Sequence, residues 1–154
     1  MKVAEILQHI QTELKAPKNQ KNNFGGYKYR NLESILENVK PLLNKYNAVL
    51  TITDDIITVG ERIYVKAIAT IMSVEDGDNI TVSAYAREDV AKKGMDLSQL
   101  TGACSSYARK YALNGLFCID DTKDADELEP TGEQKKTPVR RSRRKVKVDE
   151  TCPF

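Results

Sequence analysis

Between Ala48 and Arg87 the apolar residues recur at every second position, and β-branched side chains dominate. Ile63, Val65, Ala67, Ala69 and Ile71 alternate with Tyr64, Lys66, Ile68, Thr70 and Met72, and Ile80, Val82, Ala84 and Ala86 alternate with Thr81, Ser83, Tyr85 and Arg87. A period of two sends one set of side chains to one face of a pleated strand and the other set to the opposite face. Upstream, residues 49–53 and 56–59 read as strand segments flanking Asp54-Asp55, and Glu75-Asp76-Gly77-Asp78-Asn79 reads as a turn. No helical spacing interrupts these runs, so the strands follow one another directly. They predict an antiparallel meander of three or more strands, with one face packed on helices and the other presenting Tyr85, Arg87 and Lys66. Consecutive strands flanked by helices select an α+β fold over a doubly wound one.

The flanking helices carry their own spacing. Val3, Ile6, Leu7, Ile10 and Leu14 recur at three and four, marking an N-terminal helix over about residues 3–15 that Pro17 closes. Residues 17–29 form a polar, glycine-containing loop. Asn31 is placed to cap a second helix lined on one side by Leu32, Ile35, Leu36, Val39, Leu42, Leu43 and Tyr46, with Pro41 kinking it or starting a new turn. After the basic loop Lys92-Lys93-Gly94, Asp96 or Ser98 can cap a long helix reaching about Leu116. Its first half is rich in small residues, Thr101, Gly102, Ala103, Ser105, Ser106 and Ala108, which let a helix sit close to a sheet or to a neighbouring subunit. Its second half interleaves aromatics and cations in Tyr107-Ala108-Arg109-Lys110-Tyr111.

Charge divides the chain. Residues 1–129 hold 16 basic against 19 acidic side chains, whereas residues 130–154 hold 8 against 3. Residues 129–138 show no apolar periodicity, so the reading is an ordered core over 1–123 and a disordered basic tail over 124–154. Within the tail, Arg140, Arg141, Arg143, Arg144, Lys145 and Lys147 fall in nine residues, an electrostatic handle for a polyanion such as nucleic acid. The chain of 154 residues suits a single domain. Its longest uncharged stretch, residues 97–108, is too short and polar to span a bilayer. The first ten residues lack the apolar core of a secretory signal, so the expected location is the cytoplasm.

Several chemistries find little support. Cys104, Cys118 and Cys152 form no C-x-x-C pair and a single His9 is present, so neither a disulfide scaffold nor a zinc site is indicated, and a Ser-His or Cys-His nucleophile has no partner. On one helix Cys104 and Cys118 would stand about 21 Å apart, beyond disulfide reach. The acidic run over residues 120–127 lacks the glycine and terminal Glu of a calcium loop. Lys123 within it leaves open a metal-dependent nuclease or nuclease accessory, although no strand carries the cluster.

Two blocks carry a specific resemblance. Gly25-Gly26-Tyr27-Lys28-Tyr29-Arg30-Asn31-Leu32, followed by Val39-Lys40-Pro41-Leu42-Leu43, stands upstream of Gly102-Ala103-Cys104-Ser105-Ser106-Tyr107-Ala108-Arg109-Lys110-Tyr111-Ala112-Leu113 and Ile119-Asp120-Asp121. In order and spacing these blocks, spanning about residues 1–128, resemble the Erf (essential recombination function) family of bacteriophage single-strand DNA annealing proteins. Ser105-Ser106 stands where a bulkier apolar residue and Thr are usual in that family, and Lys110 where Arg is common. The resemblance implies ATP-independent annealing of complementary strands by a ring or filament of subunits, without a cofactor. It also implies a core similar to that of the eukaryotic ring-forming annealing mediator, a meander packed on a long helix.

Annealing requires strands held by their phosphates with the bases left free to pair, so Lys and Arg contacts should dominate over base readout. Tyrosines can support extended bases by stacking. The residues that fit are Arg109 and Lys110 with Tyr107 and Tyr111 as one wall, and Tyr27, Lys28 and Arg30 as a second. Tyr85 and Arg87 can add contacts from the sheet, and Lys92 and Lys93 from the loop. Positions 107 and 111 share a helix face and 109 points elsewhere, so not all of these can touch one strand. For Tyr107 and Tyr111, core packing is the competing reading.

The chain ends Val148-Asp149-Glu150-Thr151-Cys152-Pro153-Phe154. Asp149, Glu150, Pro153 and Phe154 resemble the C-terminal tip of bacterial single-strand binding proteins, a docking peptide whose Phe fills an apolar pocket while its carboxylates meet Arg or Lys. The implied partners are host repair proteins that read such tips.

Overall fold

The computed structural model describes residues 1–18, 20–21, 28–90 and 94–119. Helix α1 spans Val3–Glu13, strand β1 Gln20–Lys21 and strand β2 Lys28–Tyr29. They are followed by α2 over Leu32–Lys45, β3 over Ala48–Val59, β4 over Arg62–Ser73, β5 over Asn79–Arg87 and α3 over Leu97–Phe117. The fold is α+β, as the period change implies, with one three-stranded antiparallel sheet in the order β3-β4-β5. The tail expected to be disordered, the acidic run 120–127, Tyr27, Lys92 and Lys93 lie outside the described residues.

The inward face of the sheet is the series read from the sequence. Val65, Ala67, Ala69 and Ile71 of β4 are buried, and Leu50, Ile52, Ile80, Val82, Ala84 and Ala86 pack around them. Two differences appear. First, β3 does not break at Asp54-Asp55: an unshifted register runs from Ala48↔Ser73 through Asp54↔Ala67 to Val59↔Arg62. The alternation puts Asp54 in the inward series with Ala48, Leu50 and Ile52, a position that an acid holds when it has a partner. Second, the loop expected over residues 17–29 contains a short ladder, β1 pairing β2 with Gln20 opposite Tyr29 and Lys21 opposite Lys28. Two-residue strands are too short to leave a periodic trace.

Helix α3 lies on the inward face, mainly against β5 and β4. Of the two expected caps, Asp96 takes the position, in a capping box: Asp96 accepts from Gln99 N at 2.8 Å while the Gln99 side chain accepts from Asp96 N at 3.3 Å. The small residues of α3 divide between two sides. Cys104, Ala108 and Ala112 are buried in the same core as Ala67 and Ala69 of the sheet, where small side chains on both surfaces let helix and sheet approach, whereas Gly102 and Ser106 face outward. Near its end Gly115 runs so close to β5 that an added Cβ would stand 3.3 Å from Val82 Cγ1.

The N-terminal helices close the other side of the core. Val3, Ile6, Leu7 and Ile10 of α1 and Ile35, Val39 and Leu43 of α2 join Leu113, Leu116 and Phe117 of α3. Asn31 caps α2 by accepting from Ser34 N at 2.9 Å, and the helix continues through Pro41 to Lys45. Gln11 of α1 donates to the Leu116 carbonyl at 2.8 Å, meeting one of the carbonyls that a helix end leaves unpaired. Glu13 accepts from Lys45 Nζ at 2.8 Å and from the Tyr46 hydroxyl, tying α1 to the end of α2.

Candidate nucleic-acid interface

The α3 segment singled out for its aromatics and cations has three sides in the fold. Positions 104, 108 and 112 face the sheet. Positions 105 and 109, one turn apart, face β3. Positions 106, 107 and 110 face outward and toward the segment that enters α2, and position 111 is exposed one turn beyond 107.

On the outward side Tyr107 and Tyr111 are 54% and 45% exposed, which removes the core-packing reading. Their ring centroids lie 6.2 Å apart at an interplanar angle of 39°. Lys110 Nζ stands 4.9 Å from the Tyr107 centroid and 5.5 Å from that of Tyr111, so the cation sits over both rings. Two flat apolar faces and a positive charge thus occupy one spot, the composition that stacking on a base with a phosphate contact beside it requires.

Tertiary packing brings the second block to this spot. A groove of about 140 Å³ is lined by Tyr29, Arg30, Asn31 and Leu32 from the entry to α2 and by Ser106, Tyr107 and Lys110 from α3. Asn31, Leu32 and Ser106 also border a wider hollow of about 420 Å³ that continues along α2 past Glu33, Leu36, Glu37 and Lys40. The basic and aromatic end therefore grades into an end bearing two acids. A polyanion is favoured at the first and disfavoured at the second.

The expected residues divide in this geometry. Lys28 is exposed on β2 beside the groove. Arg30 is 8% exposed, and its Nε donates to the Ala16 carbonyl at 2.7 Å, so it pins the segment after α1 and presents little of itself to solvent. Arg109 turns away from the groove, as its helix position requires. Its Nε lies 3.0 Å from both Asp54 carboxylate oxygens and its Nη2 lies 2.8 Å from Oδ2, while Ser105 Oγ donates to the same carboxylate. Burial alone would push the Asp54 carboxyl up, but the hydrogen bonds from Arg109 and Ser105 override it and hold Asp54 below the usual carboxylate range. The same pairing raises Arg109 further.

Tyr85 and Arg87 stand on the outward face of the sheet, on the other side from α3, with Lys66 Nζ 5.9 Å from the Tyr85 ring centroid. Arg140, Arg141, Arg143, Arg144, Asp149, Glu150, Pro153 and Phe154 lie outside the described residues. Cys104 is not a candidate nucleophile: it is buried, burial pushes its thiol up, and its Sγ donates to the Ala86 carbonyl at 3.3 Å.

Two participants escaped the sequence reading. Tyr29 lines the groove and is 40% exposed; its alternation with Tyr27 in a cationic block was the available signal. Asp54 was the other. An acid within the inward series 48, 50, 52 calls for a cation elsewhere, but reading a break at Asp54-Asp55 removed it from that series.

The family model described as the ERF superfamily matches residues 3–151, extending past the blocks that carry the resemblance and into the basic tail. The essential recombination function protein of Salmonella phage P22 is 56% identical over 138 residues, which cover 89% of this chain and 65% of that relative. The chain thus spans just under two thirds of the relative's length. No solved structure matches the chain significantly. With a family model matching nearly its whole length and a relative at this identity, the chain belongs to the ERF superfamily.

Proposed function

We propose that this chain binds single-stranded DNA and anneals complementary strands without ATP during phage homologous recombination in the cytoplasm of a bacterial host. The observation that carries the reading is the groove between residues 29–32 and 106–110, where Lys110 sits over the exposed rings of Tyr107 and Tyr111. Its chemistry suits a strand held by phosphate and stacking contacts with base edges left available. The name of the phage P22 relative, essential recombination function protein, supports the same biology. Lys28 and the tail cations Arg140, Arg141, Arg143 and Arg144 add charge along the strand, as Lys92 and Lys93 do ahead of α3. The reading assigns no catalytic residue and no cofactor.

Assembly is part of the proposal. The order β3-β4-β5 leaves β3 and β5 as edge strands, and exposed edges need cover. A ring or filament of copies, on the pattern of the eukaryotic annealing mediator, supplies it. Light scattering should show species well above 17.3 kDa; a monomer at every concentration, with and without DNA, would count against assembly.

The test of function is to mix labelled complementary strands with the protein, with and without magnesium. Annealing that proceeds without metal and leaves strand length unchanged supports the proposal. Magnesium-dependent shortening would favour the nuclease alternative, which rests on residues 120–127.

A further inference from the structure

Annealing brings two strands together, and the groove beside α3 is a single small concavity of about 140 Å³. The outward face of the sheet supplies a second set of the same chemical groups. In the β4–β5 register Lys66 stands opposite Tyr85, and Tyr64 stands opposite Arg87. These four side chains form a two-by-two checkerboard of ring and cation on one end of the face, and Lys66 Nζ lies 5.9 Å from the Tyr85 centroid. Tyr85 is 51% exposed, comparable to Tyr107. Arg62 begins β4 on the same face, and among the described strand residues of this face Asp55, opposite Lys66, is the one acid against Arg62, Lys66 and Arg87, with Glu61 and Asp89 flanking the strand ends.

The geometry points to a second single-strand platform on the open sheet face, where Tyr64, Lys66, Tyr85 and Arg87 meet, holding a strand apart from the one beside α3. This rests on the proposed reading that the chain binds single strands. The two platforms lie on opposite sides of a helix-on-sheet body. A helix with its side chains is about 10–12 Å thick, so a base stacked on Tyr107 cannot also reach Tyr85. Charge favours a polyanion over a second copy as the occupant. An isologous pairing with its twofold axis along the strands, which opposes this end to its own copy, would set cation against cation, whereas the far end of the face, with Val49, Thr51, Thr70 and Met72, carries no charge.

The test uses the full chain and a single strand carrying photoreactive halogenated uracil, with crosslinked residues mapped by mass spectrometry. The expected result is crosslinking at Tyr85 as well as at Tyr107 or Tyr111, with the Tyr85 crosslink persisting in Tyr107→Ala/Lys110→Ala. Substituting Lys66→Ser with Tyr85→Ser should slow annealing at least tenfold and change the affinity for a first strand less than threefold. Tyr85→Phe, which keeps the ring, should retain both the crosslink and the rate. Crosslinks confined to α3 would overturn the second platform while leaving the function intact. So would Tyr85 becoming protected from chemical labelling as protein concentration rises without DNA, the signature of a second copy on this face. Absence of any crosslink or strand binding would overturn the functional reading itself, and the platform with it.

Discussion

Arg109 of α3 grips Asp54 of β3 through Nε and Nη2 at 2.8–3.0 Å, across 55 residues of sequence. The pair joins the long helix to the outermost part of the sheet at a point where the inward series carries an acid. It is half-buried, with side chains 39% and 19% exposed, so its strength is discounted for solvent screening. Asp54→Ala is expected to cost about 1–2 kcal/mol, measured by urea unfolding, because it leaves Arg109 and Ser105 without their acceptor.

The same pair makes stability depend on pH. Asp54 has a folded-state pKa below its ordinary 3.8, so its contribution is fully present above that value and is lost as pH falls through the depressed one. The stability difference between the unsubstituted chain and Asp54→Asn should therefore be constant near neutral pH and shrink below about pH 4. A difference that grew on acidification would contradict the assignment.

Lys110 and Arg109 are adjacent in sequence and should behave differently. Lys110→Ala should weaken single-strand binding with little effect on stability, and reduce the slope of log K against log salt by about 0.7, the loss of one phosphate contact. With about six phosphates neutralised by the unsubstituted chain, its slope should lie near −4. Arg109→Ala should lower stability and leave the slope unchanged. Titrations at several salt concentrations, paired with denaturation of each variant, separate the two roles.

Core and cap substitutions test the packing of α3. Leu113, fully buried between α1, α2 and the sheet, should cost about 2–5 kcal/mol on replacement by Ala. Asp96→Ala removes the capping box and should cost about 1 kcal/mol. Thermal or urea unfolding reads both, and near-equal effects would mean that α3 is not packed as described.

The docking segment proposed over residues 149–154 carries its own prediction. A peptide of the last ten residues should recover host repair helicases or recombination mediators from extract, and the same peptide without Phe154 should not. Equal recovery by both, or by neither, would remove the docking role proposed for Asp149, Glu150, Pro153 and Phe154.

Much of this fold was written in local periodicity. The change of period at Ala48 specifies consecutive strands, the alternation in β4 and β5 names the buried face residue by residue, and Asn31 and Asp96 mark where α2 and α3 begin. Each of these features depends on neighbours within a few positions, and such neighbours are read directly from the chain. Helical spacing also determines that 105 pairs with 109 and 107 with 111 on common sides of α3. Which side meets the sheet, which meets β3 and which lines the groove was decided by tertiary packing. Arg109 and Lys110 are equally basic as letters, and only the position of Asp54 on the far strand makes the first a structural anchor. Arg30 likewise reads as an available cation until the Ala16 carbonyl is found beside it. The groove itself exists because α2 and α3 bury their apolar stripes on one core, which brings residues 29–32 to residues 106–110. That approach is driven by non-directional burial across the whole molecule, and no single stretch of sequence encodes it.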